Sequence, residues 1–133
     1  MDSNERKGKI VIDLDGTLCE GSQNNYKDAI PNSEIIAKVR EYKKRGFEIA
    51  IYTSRQMRTH DNNIGRICAT TLPIIVEWLE NNDVPYDEIV VGKPWCGNMG
   101  FYVDDRTIRP SEFEKLEYEE IVDLLEKKRP HEI

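Results

Sequence analysis

Three cysteines are all that this chain of 133 residues carries, and no two of them form a CxxC pair. Cys19, Cys68 and Cys96 therefore supply neither a disulfide framework nor a zinc site, and they read as free thiols. No apolar run approaches the ~20 residues that a membrane-spanning helix needs. The first residues, M-D-S-N-E-R-K-G-K, lack the apolar centre of a secretory signal, so the expected location is cytoplasmic, with no membrane partner. Positive charge is in deficit too: 19 Lys and Arg against 25 Asp and Glu leave a formal net charge of −6. Such a balance predicts no nucleic-acid partner and no attraction to an anionic surface. The sequence shows no internal repeat, no low-complexity segment and no linker. The expectation is one domain, residues 1–133, with a core of its own.

Against these absences, residues 11–18 stand out: V-I-D-L-D-G-T-L. Two carboxylates, Asp13 and Asp15, sit where an apolar strand ends. Burying charge there is unfavourable unless something compensates it, and a metal ion or a phosphate chemistry would do so.

The hydrophobic pattern alternates strands with helices. Residues 9–15 read as a buried strand, followed by a polar loop, E-G-S-Q-N-N-Y-K-D. Pro31-Asn32-Ser33 signals a helix start, and a helix over 33–45 puts Ile35, Ile36, Val39 and Tyr42 on one face before Gly46 stops it. A second strand is predicted over 47–52 and a third over 86–91. Between them, a helical pattern over 64–82 should be kinked or split by Pro73. A fourth strand is predicted over 100–104, G-F-Y-V-D. Ser111-x-x-Glu114 reads as a capping box that opens a terminal helix, and K-K-R-P-H-E-I reads as a frayed tail. This order implies an α/β fold: a Rossmann-like three-layer αβα sandwich around a central parallel sheet. In such sheets ligands bind at the carboxyl ends of strands.

Each predicted strand ends on chemistry. The first gives Asp13 and Asp15, the second Thr53 and Ser54, the loop after the third Lys93, and the fourth Asp104 and Asp105. A parallel sheet would gather these into one crevice. Clustered carboxylates repel one another, and a hard divalent cation with oxygen ligands, Mg²⁺, is the natural neutraliser. Taken singly the motifs are ordinary: Thr53-Ser54 reads as a helix cap, and Arg55, Arg58 and His60 as surface side chains. Trp95 is equally a core residue or a platform for a sugar ring.

Together they resemble the haloacid dehalogenase superfamily of phosphotransferases. Its D-x-D-x-T motif matches Asp13 to Thr17, its apolar strand ending in Thr or Ser matches I-A-I-Y-T at Thr53, its lysine matches Lys93, and its acidic strand end matches F-Y-V-D-D at Asp104 and Asp105. G-K-P-W-C-G and Y-V-D-D-R-T-I-R-P also resemble stretches of the small capsule-biosynthesis phosphatases of that superfamily. The resemblance implies a Mg²⁺-dependent phosphomonoester hydrolase. Asp13 would be the nucleophile, Asp15 the general acid and base, and Thr53 and Lys93 the phosphate-handling groups. Asp13, the Asp15 main-chain carbonyl, Asp104 and Asp105 would hold the metal. Gly16, Ser54, Arg55 and Trp95 would face a small phosphorylated substrate, of the sugar-phosphate type. Asp13 is expected to stay ionised beside Mg²⁺ and Lys93.

The spacings leave no room for a substrate-selecting cap domain, after the first motif or between the second and third. A capless, open site admits a large substrate or borrows a neighbouring subunit, which is compatible with a homo-oligomer. Two other readings share parts of the pattern. A phospho-accepting receiver domain has its acidic pair first along the chain, whereas here it is last. A nucleic-acid end phosphatase also has an open site, but the acidic balance disfavours it.

Overall fold

The computed structural model describes residues 8–21 and 25–127. The leading residues 1–7, residues 22–24 of the polar loop, and the expected tail beyond Lys127 lie outside the described residues. The chain divides into two compact units, Met1–Trp95 and Cys96–Ile133.

In the first unit, three parallel strands form one sheet in the order β1 (Lys9–Ile12), β2 (Glu48–Thr53), β3 (Glu88–Val91). Ile10 pairs with Ile49 and Ile51 with Ile89, which fixes the register. β2 is the central strand. Ile49, Ala50, Ile51 and Thr53 are all buried there, as the near-continuous apolar run of a strand covered on both faces requires. β1 is shorter than the sequence suggested: it stops at Ile12, and Asp13 to Asp15 already belong to a turn.

Helix α1 (Ser33–Lys44) forms as expected. The Asn32 side chain accepts from the Ile35 N–H, and Ile35, Ile36, Val39 and Tyr42 are all buried. Gly46, at φ +99°, ends it in a conformation that suits glycine.

The second helical stretch is one run in three parts: α2 (Ile64–Arg66), a π-helical turn (Ile67–Thr71) and α3 (Leu72–Asn81). The predicted helical pattern is thus divided into two α-helical segments, with Pro73 near the start of the second. The wide turn ends just before the proline, with the Leu72 N–H on the carbonyl of Ile67, and the proline falls in the first turn of α3, where no N–H is needed. Ile75, Trp78 and Leu79 face the core, and Trp78 Nε1 donates to the Ala29 carbonyl at 2.9 Å. That bond ties α3 to the single 3₁₀ turn, Tyr26–Asp28, inside the polar loop.

The second unit holds α4 (Pro110–Lys115) and α5 (Tyr118–Lys127). Two expectations change here. Residues 100–104 form no strand, and Phe101, Tyr102 and Val103 are exposed. Their composition favours a strand, but a strand also needs a hydrogen-bonded neighbour, which composition does not supply. The terminal helix also starts two residues earlier than the Ser111 signal implied, with Arg109 in place of Ser111 as its N-cap. The Arg109 N–H donates to Glu112 Oε1 at 2.9 Å, so Glu112 rather than Glu114 completes the cap. A similar contact, Glu117 N–H to Glu120 Oε1 at 2.8 Å, opens α5 after a break at Leu116. Phe113 and Ile121 are the buried apolar residues of these helices.

Among the described residues no helix is long and apolar enough to cross a membrane. The stretch between β1 and α1 contains only turns, one 3₁₀ turn and the undescribed residues 22–24, which leaves no place there for a cap domain.

Candidate active site

The turn after β1 is built around one carbonyl. The oxygen of Leu14, a fully buried residue, accepts from the N–H groups of Thr17, Leu18 and Cys19 at 3.2, 2.9 and 3.2 Å. Gly16 takes φ +86°, a conformation most side chains avoid, and its N–H donates to the Cys19 carbonyl. The turn leaves Asp13 and Asp15 half-buried at the end of β1.

Asp13 faces two partners. Thr17 Oγ1 donates to its Oδ2 at 3.3 Å, and Lys93 Nζ stands 3.6 Å from its Oδ1. Burial pushes the Asp13 carboxyl above the usual carboxylate range, against the pull of Lys93 and of the backbone and Thr17 hydrogen bonds. At this carboxyl, desolvation outweighs the pull of the lysine.

Lys93 arrives from the loop after β3. Its N–H donates to the Thr53 carbonyl at 3.1 Å, and its ammonium lies 5.8 Å from the centre of the Tyr52 ring. Gly92, just before it, adopts φ +90° and lies so close to Ile64 that an added Cβ would stand 2.9 Å from Ile64 Cδ1.

Thr53 is buried at the carboxyl end of β2, and its Oγ1 accepts from the Arg55 N–H at 3.0 Å. The chain beyond it is not helical. It turns through Gln56, Asp61 and Asn62, non-glycine residues with positive φ. Ser54 is half-buried in that turn, with its carbonyl accepting from the Met57 N–H. Arg58 lies over the Trp95 ring, 5.5 Å from its centre, and Trp95 is 42% exposed.

Arg55 does something the sequence did not suggest. Placed by its loop position among groups facing the substrate, it is instead buried and grips Asp15: Nε donates to Oδ2 at 3.0 Å and Nη2 to Oδ1 at 2.8 Å. Tyr26 and Cys19 complete this pocket, and neither was among the expected site residues. The Tyr26 ring lies 4.2 Å from the guanidinium carbon, and burial raises the Tyr26 phenol. Cys19 Sγ is 3.5 Å from Asp15 Oδ1, and burial chiefly, with the Asp15 charge, pushes its thiol up to about 12. This cysteine is an inert, buried thiol rather than a nucleophile. Tyr26 is the one aromatic residue in an otherwise polar stretch, which is the signal that could have drawn it out of the sequence.

The first unit thus brings Asp13, Asp15, Thr53 and Lys93 to the carboxyl ends of three neighbouring strands. Asp104 and Asp105 belong to the second unit, where both are exposed, and the Asp104 carboxylate accepts from the Arg106 N–H at 2.9 Å.

The sequence profile of the haloacid dehalogenase-like hydrolases matches residues 10–78, the stretch that carries Asp13, Asp15 and Thr53. The chain belongs to this family. Its fold agrees: a crystal structure of a protein from Vibrio cholerae is 53% identical, covers 91% of this chain and 98% of its own, and superposes with a TM-score of 0.89. A component of the Pnkp1/Rnl/Hen1 complex is similar at 18% identity and a TM-score of 0.50, over 85% of this chain and 36% of that one, a likeness of fold alone. No curated protein matches.

Members of the haloacid dehalogenase family typically use Mg²⁺. The donors in the first unit are of the right kind: hard oxygens, with one carboxylate that burial leaves short of compensation. They fall short in number. Among the described residues, no three His, Cys, Asp or Glu side chains stand where they could hold a metal ion together.

Proposed function

We propose that this hydrolase is a phosphatase, with Asp13 as nucleophile and a phosphorylated sugar or sugar-like molecule as substrate. The observation that carries the reading is the placement of Asp13. It sits at the end of β1, half-buried, with Lys93 Nζ 3.6 Å from one carboxylate oxygen and the Thr17 hydroxyl on the other. A carboxylate so placed has a cation beside it to neutralise an incoming phosphate.

An Asp13 oxygen attacks phosphorus, and the bond to the leaving oxygen breaks. Asp15 delivers the proton that the leaving oxygen takes up. A water then attacks the phosphorus of the aspartyl-phosphate, giving its proton to Asp15 and releasing phosphate and the free Asp13 carboxylate. Lys93 offsets charge on Asp13 and on the phosphoryl group, and Thr53 with the N–H groups of its turn holds phosphoryl oxygens. Asp13 and the Asp15 main-chain carbonyl would hold Mg²⁺. When bound, the ion would add positive charge where negative charge develops. Gly16, Ser54 and Trp95 line the approach. The Arg58-supported Trp95 ring suits a sugar face, which fits an intermediate of capsule polysaccharide synthesis. The open site also suits a second copy of the chain as its lid, and a cytoplasmic setting suits the free thiols.

The test is phosphate release across sugar phosphates, nucleotides and 4-nitrophenyl phosphate, with and without Mg²⁺, by the wild type and by Asp13→Asn. Mg²⁺-dependent turnover by the wild type and none by the variant is expected. Normal turnover by Asp13→Asn would remove Asp13 as nucleophile.

A further inference from the structure

Burying a guanidinium is unfavourable unless it is paired and hydrogen-bonded. The Arg55 side chain is 1% exposed, and its pairing is specific. Nε and Nη2 form two parallel bonds to the two oxygens of Asp15, at 3.0 and 2.8 Å, a fork that fixes the plane of the carboxyl group. The Arg55 N–H is anchored on Thr53 Oγ1, so the fork is held by the end of β2. The Tyr26 ring covers the guanidinium at 4.2 Å. Nη1 is buried and has no hydrogen-bond partner among the described residues. An unsatisfied buried donor is destabilising. A pair kept only for stability would do as well or better replaced by apolar side chains. The arrangement therefore points to a function at Asp15.

We propose that Arg55 is a positioning residue for Asp15. It holds the carboxyl group in one plane and one rotamer beside Asp13, so that the proton passing between Asp15 and the leaving oxygen is presented in a fixed direction. Each carboxyl oxygen has a second lone pair, so the fork and a proton fit on the same group. Tyr26 keeps the guanidinium from swinging away. The inference rests on the phosphatase reading, and Arg55 acts through Asp15 rather than on the substrate.

Two esters of similar size separate this from a structural role. 4-Nitrophenyl phosphate leaves as a stabilised phenolate and needs little proton donation. 4-Nitrobenzyl phosphate leaves as an alkoxide and needs it fully. With Mg²⁺ present, Arg55→Lys and Arg55→Gln are expected to lower kcat/KM on the benzyl ester by about 100-fold, and on the phenyl ester by about tenfold or less. Arg55→Lys should retain more activity than Arg55→Gln, because it keeps the charge and loses only the fork. Tyr26→Leu should give the same inequality in smaller measure, and it carries the test should an Arg55 variant fail to fold. Equal losses on both esters, or no loss, would overturn the proposal. Asp13→Asn keeps the two readings apart: if it is inactive and the Arg55 losses are equal, only the role of Arg55 falls, whereas an active Asp13→Asn removes the phosphatase reading itself.

Discussion

The Lys93 N–H donates to the Thr53 carbonyl at 3.1 Å. This bond continues the β2–β3 pairing past its last register pair, Thr53 with Val91. The lysine that reaches Asp13 is thus placed by the main chain of the neighbouring strand, not by its own loop alone.

Replacing Lys93 by Met keeps that backbone bond and removes the ammonium. Turnover of 4-nitrophenyl phosphate should fall by about 100-fold or more, as for loss of one preorganised electrostatic contact. The melting temperature should move little, since an ion pair of this length with a part-exposed carboxylate contributes modestly to stability. Steady-state kinetics beside calorimetry checks both halves.

The raised Asp13 carboxyl sets a pH dependence. Burial favours its protonated form in the folded protein relative to the unfolded chain, whose value lies near 3.8. The ionised group therefore destabilises the fold at pH values above the raised folded pKa. As pH falls from that pKa toward 3.8, the penalty disappears. Urea unfolding in the presence of a chelator should find Asp13→Asn more stable than the wild type at pH 7, with the gap closing as the buffer is acidified. A variant less stable at pH 7 would mean that Lys93, not burial, dominates at Asp13.

Two glycines should respond differently to alanine. At Gly92, φ is +90° and the new Cβ would meet Ile64 Cδ1 at 2.9 Å, so strain and crowding add. A loss of about 1–3 kcal/mol is expected, with reduced turnover because Lys93 follows directly. At Gly16, φ is +86° but nothing lies within 4 Å, so backbone strain of roughly 1–2 kcal/mol acts alone. Chemical denaturation of the two variants measures the difference.

Local pattern was enough for much of the fold. The α1 face could be read residue by residue, because Ile35, Ile36, Val39 and Tyr42 follow the helical period and all four are buried. The strand ends could be read because Asp13, Thr53 and Lys93 each follow an apolar run. Other features depend on contacts between distant parts of the chain. Arg55 lies in a polar loop and reads as a surface residue, yet its partner is 40 positions away. The balance at Asp13 turns on burial against a lysine from another strand, and no spacing reveals it. The G-F-Y-V-D run has strand composition, but whether a neighbour pairs with it is not written in its own residues.

The π turn before Pro73 carries an angular consequence. At about 100° per residue, positions eight apart on a regular helix point some 80° away from each other. Ile67 and Ile75 are eight apart, and both are fully buried. The wide turn absorbs one residue of that interval, so the two side chains come back to nearly the same azimuth. The proline's neighbourhood thus acts as a phase corrector, keeping a single apolar stripe aligned along a helix that would otherwise rotate it out toward water.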